Sequence, residues 1–497
     1  MPGCRRADGR LLNSQTQTMS SSISTIAPLH PDDPFAGWQV ARARPAPVAA
    51  QRAINPFLIF VALVYVAWSY FHLPSSIWAR LVLASYLIWR MRPDIVIPYC
   101  LSCIQLRLNL RLLVEGMEAG LEDVYADLTG FESYAFAIPP VLMIVRTVIA
   151  MFDARVNRDA FPKFIGLAWM LAGVLVFAGA IYAKTLGFGW TASLRMYAIV
   201  GCALYGMLMP RLDQRELKRL AGAMAILGAI LSLCAIYSIY GSQLLFLLAP
   251  LTAVWGVSGL LSREKPIYSA FLLAISGAFC LLYSTFMLAL TWMWCASAGF
   301  VEQAATQERG AAYKRMHAFV LVTFLCCVAV FVAGFTRHIE DRAESDATVL
   351  GRLEAKLYKD RGPLWVGFLH SMYEEPSFLP VPGRAFMIRS FGKDTLWRNG
   401  PHNMILELLR QMGLIVGPIC VAVLASLVIR LTRVIAYDTG RGGRAIATAA
   451  ISAIMVGGVT LPFVLADRQG EIILIAAGLV VASCWRGPVA RTQLARR

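Results

Sequence analysis

The chain has 497 residues, 58% of them hydrophobic and only 15% charged, with a mean hydropathy of +0.60; a soluble protein of this length carries far more charge, so a soluble domain is excluded. The formal net charge is +16, which in a soluble protein would suggest nucleic acid. Here Lys and Arg concentrate in short connections and at both ends, and no nucleic-acid motif is present, so the charge points to membrane orientation instead.

Residues 1–54 are rich in Ser, Pro and Ala and carry Arg5, Arg6, Arg10, Arg42, Arg44 and Arg52. No apolar core follows the early arginines, so this reads as a disordered, basic cytoplasmic tail and not as a cleavable signal peptide. Beyond it, apolar stretches of about 17 to 25 residues recur, the length a bilayer core demands of a helix. They are continuous rather than alternating, which excludes a membrane barrel. Spans are predicted at 55–71, 77–89, 95–110, 134–151, 164–183, 194–209, 220–240, 243–261, 267–283, 286–300, 319–335, 414–431, 445–465 and 472–485. The expected fold is an all-α integral membrane protein of roughly 12 to 14 transmembrane helices. Residues 55–335 form the N-terminal helices, 336–412 one large extracytoplasmic loop, 413–486 the C-terminal helices and 487–497 a basic cytoplasmic tail.

The 11 cysteines lie almost entirely in apolar spans and none is in the large loop, so no disulfide framework is expected. Cys100 and Cys103 form a CxxC within an apolar segment without a second pair, which reads as small packing residues.

Orientation follows connection by connection. With the N-terminus inside, the connections at 90–92, 153–163, 211–219, 263–265, 302–315 and 430–444 and the tail from 486 are cytoplasmic, and nearly all are basic. The acidic stretch 115–132 and the short Gly241-Ser242 fall outside. The pattern requires residues 267–300 to be two short helices turning near Ser284, because one long helix would put 211–219 on the wrong side.

The same count places residues 336–401 outside, and a long loop within a compact protein is usually functional. The loop ends in Pro401-His402-Asn403, followed by Met404, Ile405, Leu406, Leu408, Leu409 and Met412 at helical spacing, then Gly413 and Gly417 leading into a span. His402 is therefore expected at the start of a helix lying at the outer membrane surface. Backbone N–H groups there attract anions, and an imidazole of near-neutral pKa is suited to accept a proton; the same position also suits a histidine that merely caps the helix. The loop carries Arg337, Arg342, Arg352, Lys356, Lys359, Arg361, Arg384, Arg389, Lys393 and Arg398, interspersed with Asp341, Glu344, Asp346, Glu354, Asp360, Glu374 and Glu375. Such a set fits either an anion held by bidentate guanidinium groups or a solvated loop of mixed charge. Arg146, inside a span, reads as a snorkelling or cavity-facing cation without an assigned role, and Asp467 and Arg468 read as an interfacial anchor.

In this order the residues resemble the bacterial O-antigen ligases and the related O-antigen or exopolysaccharide polymerases. The likeness rests on Arg361-Gly-Pro-Leu-Trp365, then Pro376, Pro380 and Pro382-Gly383-Arg384-Ala385-Phe386, then His402-Asn403 with its Leu-rich helix, and Gly413 to Gly417. The resemblance implies a GT-C-like inner-membrane protein with its active site facing the periplasm. It implies a metal-independent, inverting glycosyl transfer from an undecaprenyl-diphosphate-linked glycan, without a nucleotide sugar or other cofactor. The acceptor would be lipid A–core in a ligase or a second lipid-linked glycan in a polymerase. Carried over, His402 would be the general base and Arg361 would hold the donor diphosphate, with Asn403 beside them at the substrate. The chain departs from the family at the Ser-Arg that many members carry at the outer end of an earlier span: Ser284-Thr285 stands there, and Ser262-Arg263 falls inside. Either the second cation comes from Arg384, Arg389 or Arg398, or residues 267–300 do not form the two-helix turn and Ser262-Arg263 lies outside. Leu379-Pro380-Val381-Pro382 also replaces a typical glycine. The alternatives are a polytopic transporter or flippase for lipid-linked glycan and an envelope assembly subunit. The spans show neither the repeat symmetry nor the midplane charges of a secondary transporter.

Overall fold

The computed structural model describes residues 82, 85–91, 131–153, 161–185, 191–235, 245–262, 265–282, 292, 294–296, 298, 361–380, 386–390, 393–397, 401, 403–437, 440–457 and 468–484. The spans expected at 55–71, 95–110 and 319–335, the N-terminal tail and the Cys100/Cys103 pair lie outside them. The described chain is helical, in the order α1 (Phe131–Phe152), α2 (Lys163–Thr185), α3 (Thr191–Met207), α4 (Gln214–Ala235), α5 (Leu245–Leu261), α6 (Pro266–Leu282), α7 (Gly362–Glu374), α8 (Met404–Tyr437), α9 (Arg441–Ser452) and α10 (Arg468–Cys484). A π-helical turn, Ala453–Gly457, extends α9. One antiparallel hairpin, β1 (Phe386–Ser390) and β2 (Lys393–Trp397), interrupts the all-helical expectation inside the large loop.

Two of the described helices carry apolar stretches long enough to cross a membrane, Lys163–Tyr182 of 20 residues and Met404–Ala436 of 33. Shorter apolar stretches occupy α1, α3, α5, α6 and α10. On α2, Phe164, Leu167, Leu171, Val174, Phe177 and Ile181 recur every three or four residues and are 39–84% exposed. The opposite face is buried: Trp169 stacks on Tyr197 of α3 with ring centroids 4.6 Å apart, and the Tyr197 hydroxyl donates to the Trp169 carbonyl. A continuous exposed apolar stripe of this length calls for an apolar solvent or partner.

Small residues let the helices pack backbone to backbone. A Cβ added to Gly206 of α3 would meet the Ile475 carbonyl of α10 at 2.3 Å, and one on Gly478 would meet the Ala203 carbonyl at 2.3 Å. Gly228 of α4 likewise lies against Thr252 of α5. Buried hydroxyls in these helices return to carbonyls one turn back, as Thr147 does to Met143 at 2.7 Å and Ser232 to Gly228 at 2.7 Å. Polar side chains in an apolar setting are thereby satisfied within their own helix.

The start of α4 is fixed by a capping box in which Asp213 Oδ1 accepts the Glu216 N–H at 2.7 Å. Gln214 and Leu217 lie directly against Gly440 and Gly442 at the start of α9. Arg441 stacks 4.1 Å over Trp255 of α5 and its Nη2 donates to the Trp255 carbonyl at 2.6 Å. Leu212 N–H donates to Ser483 Oγ near the end of α10 at 3.0 Å. Arg146 of α1 donates to the Trp89 carbonyl at 3.0 Å, next to Arg90. The connections containing Arg90, Arg211 and Lys265 and the start and end of the last two helices are thus gathered at one end of the bundle. The opposite end receives the large loop, where Pro380 abuts Gly179 of α2.

Trp292 comes back against α6. Trp292 Nε1 donates to Ser276 Oγ at 3.0 Å across a separation of 16 residues, whereas a straight helix would hold them roughly 24 Å apart. The turn expected near Ser284 itself lies outside the described residues.

Within α8, Gly413 breaks the helix with φ 71° and ψ 179°, so that a short helix, 404–412, meets the long one at a kink. A Cβ there would lie 2.6 Å from the Leu379 carbonyl and 2.7 Å from the Phe378 carbonyl. Gly413→Ala is therefore expected to destabilise the protein by about 1–3 kcal/mol from the backbone conformation alone, with further loss from the clash. A melting temperature in detergent equal to wild type would contradict the kink's role.

Candidate functional site

Helix α7 starts immediately after Arg361, which occupies the N-cap without a side-chain cap hydrogen bond, and Pro363 stands in the first turn. Pro suits that position because its missing N–H would have had no intrahelical partner. The guanidinium is thus rooted where backbone N–H groups already point outward with partial positive charge, a setting that favours an anion. Leu364, Trp365, Phe368 and Met372 of α7 form a small core with Leu406 of the helix 404–412.

This core is pinned by one directional bond. Trp365 Nε1 donates to the Pro401 carbonyl at 2.9 Å, with both groups buried. Arg361 and Trp365 are one helical turn apart and Pro401 is the neighbour of His402, so the segments bearing the expected acid–base and phosphate-binding groups converge. His402 itself lies outside the described residues, as do Arg384 and Arg398.

The helix that follows is capped by Asn403, whose Oδ1 accepts the N–H groups of Ile405 at 3.0 Å and Leu406 at 3.2 Å. The N-cap of this helix is therefore supplied by Asn403. This gives Asn403, expected at the substrate, a structural task, and the residue is buried. Arg389 lies in β1, at the register position opposite Asp394 of β2, and the hairpin packs against α7. The basic loop residue is therefore carried on a strand beside the Arg361 helix rather than on a free loop.

One feature of the site was not foreseen. Glu407 and Arg410, both nearly fully buried, form a two-pronged ion pair, with Nη2 to Oε1 at 2.6 Å and Nε to Oε2 at 3.0 Å. Gln411 Nε2 adds a bond to the same carboxylate at 3.0 Å. The i, i+3 and i, i+4 spacing of these polar residues in an otherwise Leu-rich helix was the available signal. The short helix is therefore held at its start by Asn403 and the Trp365–Pro401 bond, along its side by Leu406, inside by the ion pair and at its end by Gly413.

Ser262 is at the end of α5, whose Gly259 faces Arg441. Ser262 thus lies at the basic end of the bundle, and Arg263 lies outside the described residues. Comparison of the chain with family models, with curated proteins and with solved structures found no match.

Proposed function

We propose that this chain spans the bacterial inner membrane with roughly 12 to 14 helices and transfers or polymerises an undecaprenyl-diphosphate-linked glycan at its periplasmic face, as an O-antigen ligase or polysaccharide polymerase does. The observation that carries the reading is the buried Trp365–Pro401 hydrogen bond, which joins the helix beginning at Arg361 to the segment containing His402. The gathering of the basic connections at the end away from the loop supports an extracytoplasmic site by the positive-inside rule.

In this reaction the acceptor hydroxyl oxygen attacks the anomeric carbon of the donor from the face opposite the diphosphate. His402 takes the hydroxyl proton as the new bond forms. The bond from the anomeric carbon to the diphosphate oxygen breaks and the configuration inverts. The electron pair leaves with the undecaprenyl diphosphate. Arg361, at the N-terminus of α7, neutralises the charge growing on it, with Arg384, Arg389 or Arg398 as the second cation. The acceptor is lipid A–core or a second lipid-linked glycan, and the reaction draws on no metal or nucleotide sugar.

Deleting the gene is expected to leave diphosphate-linked glycan accumulated on the periplasmic side of the inner membrane, measured by lipid extraction and by its accessibility to an impermeant glycan-binding probe. Single repeat units on the lipid would identify a polymerase, and long unattached chains a ligase. Accumulation on the cytoplasmic side would instead mark a flippase and contradict the proposal.

A further inference from the structure

We propose that residues 376–380 are seated in the outer leaflet of the bilayer, as a re-entrant knuckle in contact with lipid acyl chains. The inference rests on the membrane reading above and not on the chemistry assigned to His402 and Arg361. Non-helical backbone persists in hydrocarbon only where its polar groups are satisfied within the protein. Three consecutive carbonyls of this stretch meet that demand. Those of Ser377 and Phe378 accept the N–H groups of Leu414 and Ile415 at 2.8 and 3.3 Å, and that of Leu379 accepts the Ser377 hydroxyl at 2.9 Å. Pro376 and Pro380, which bracket the stretch, have no N–H to satisfy. The same bonds serve the first amides of the long helix after Gly413, which would otherwise need a cap.

The side chains point to the same solvent. Phe378 and Leu379 are 56% and 50% exposed, beside Leu414 and Ile415 at 37% and 45%. The stretch adjoins α2, where Pro380 packs on Gly179 and the next turn exposes Ile181 and Tyr182. The polar boundary lies directly before Pro376, at the exposed Glu374 and Glu375, with Glu374 paired to the exposed His370 at 3.2 Å. The knuckle would hold the loop at headgroup depth, so that a lipid-linked donor reaches it without leaving the bilayer.

The test places a photoreactive benzoyl-phenylalanine at Phe378, at Leu171 on the α2 stripe, or at His370, in the full-length protein in nanodiscs of phosphatidylethanolamine and phosphatidylglycerol. Phospholipid adducts, read by mass spectrometry after illumination, are expected at 378 and 171 and severalfold less at 370. The same label at Ile415 carries the same expectation should the Phe378 variant fail to fold. Adducts at 171 with none at 378 and 415, or equal adducts at 370, would overturn the knuckle and leave the membrane reading standing. No adducts at 171 would overturn both.

Discussion

Replacing His402 with Ala is expected to reduce surface polysaccharide assembly by about 10²–10⁴-fold, the contribution of a well-placed general base, while the protein stays in the membrane at its wild-type level. The separation of activity from folding is possible because Asn403, and not His402, caps the following helix. Arg361→Ala is expected to cost about 10²–10³-fold, the scale of removing one preorganised donor from a developing anion. Arg361→Lys keeps the charge but loses the planar fork and should recover only part of that. Immunoblots of membrane fractions beside glycan gels check both variants, and unchanged polysaccharide in both would remove the enzymatic reading.

The second large effect concerns the ion pair inside the helix 404–412. A buried carboxylate left without its guanidinium is costly, about 3–5 kcal/mol when one partner of a buried pair is removed. Glu407→Met and Arg410→Met are each expected to destabilise the protein by that order, seen as a lowered melting temperature in detergent. The double variant Glu407→Met with Arg410→Met removes both charges and is expected to recover much of the stability, since apolar replacements of buried pairs are often neutral or better. If the pair also fixes the register of the helix that follows His402, the double variant regains stability without regaining transfer. Full recovery of transfer alongside stability would show that the pair serves folding alone.

Much of the helical layout was legible in the sequence, because apolar length and connection charge are local quantities. The spans expected at 134–151, 164–183 and 267–283 correspond to Phe131–Phe152, Lys163–Thr185 and Pro266–Leu282. Charge parity alone called for a reversal between 267 and 300, and Trp292 contacts Ser276, while the turn expected near Ser284 lies outside the described residues. The start of α4 was placed late, at 220, because Gln214-Arg215-Glu216 reads as a polar connection; the Asp213–Glu216 capping box was the signal that extends the helix. At the site, the helix after Asn403 and the break at Gly413 were visible from Leu spacing and glycine. The hairpin of Phe386–Ser390 with Lys393–Trp397 was not, since neither strand carries a clear apolar alternation. The Trp365–Pro401 bond and the carbonyls of Ser377 and Phe378 joining Leu414 and Ile415 are contacts between distant segments, and no local pattern encodes their partners.

The account is tested most directly with purified protein in phosphatidylethanolamine and phosphatidylglycerol nanodiscs, supplied with undecaprenyl-diphosphate-linked glycan and a lipid acceptor in the presence of a metal chelator. Wild-type protein should form the extended or ligated product and release undecaprenyl diphosphate, whereas the folded His402→Ala and Arg361→Ala proteins should form little or none. Product formed equally by all three proteins, or by none of them, would contradict it.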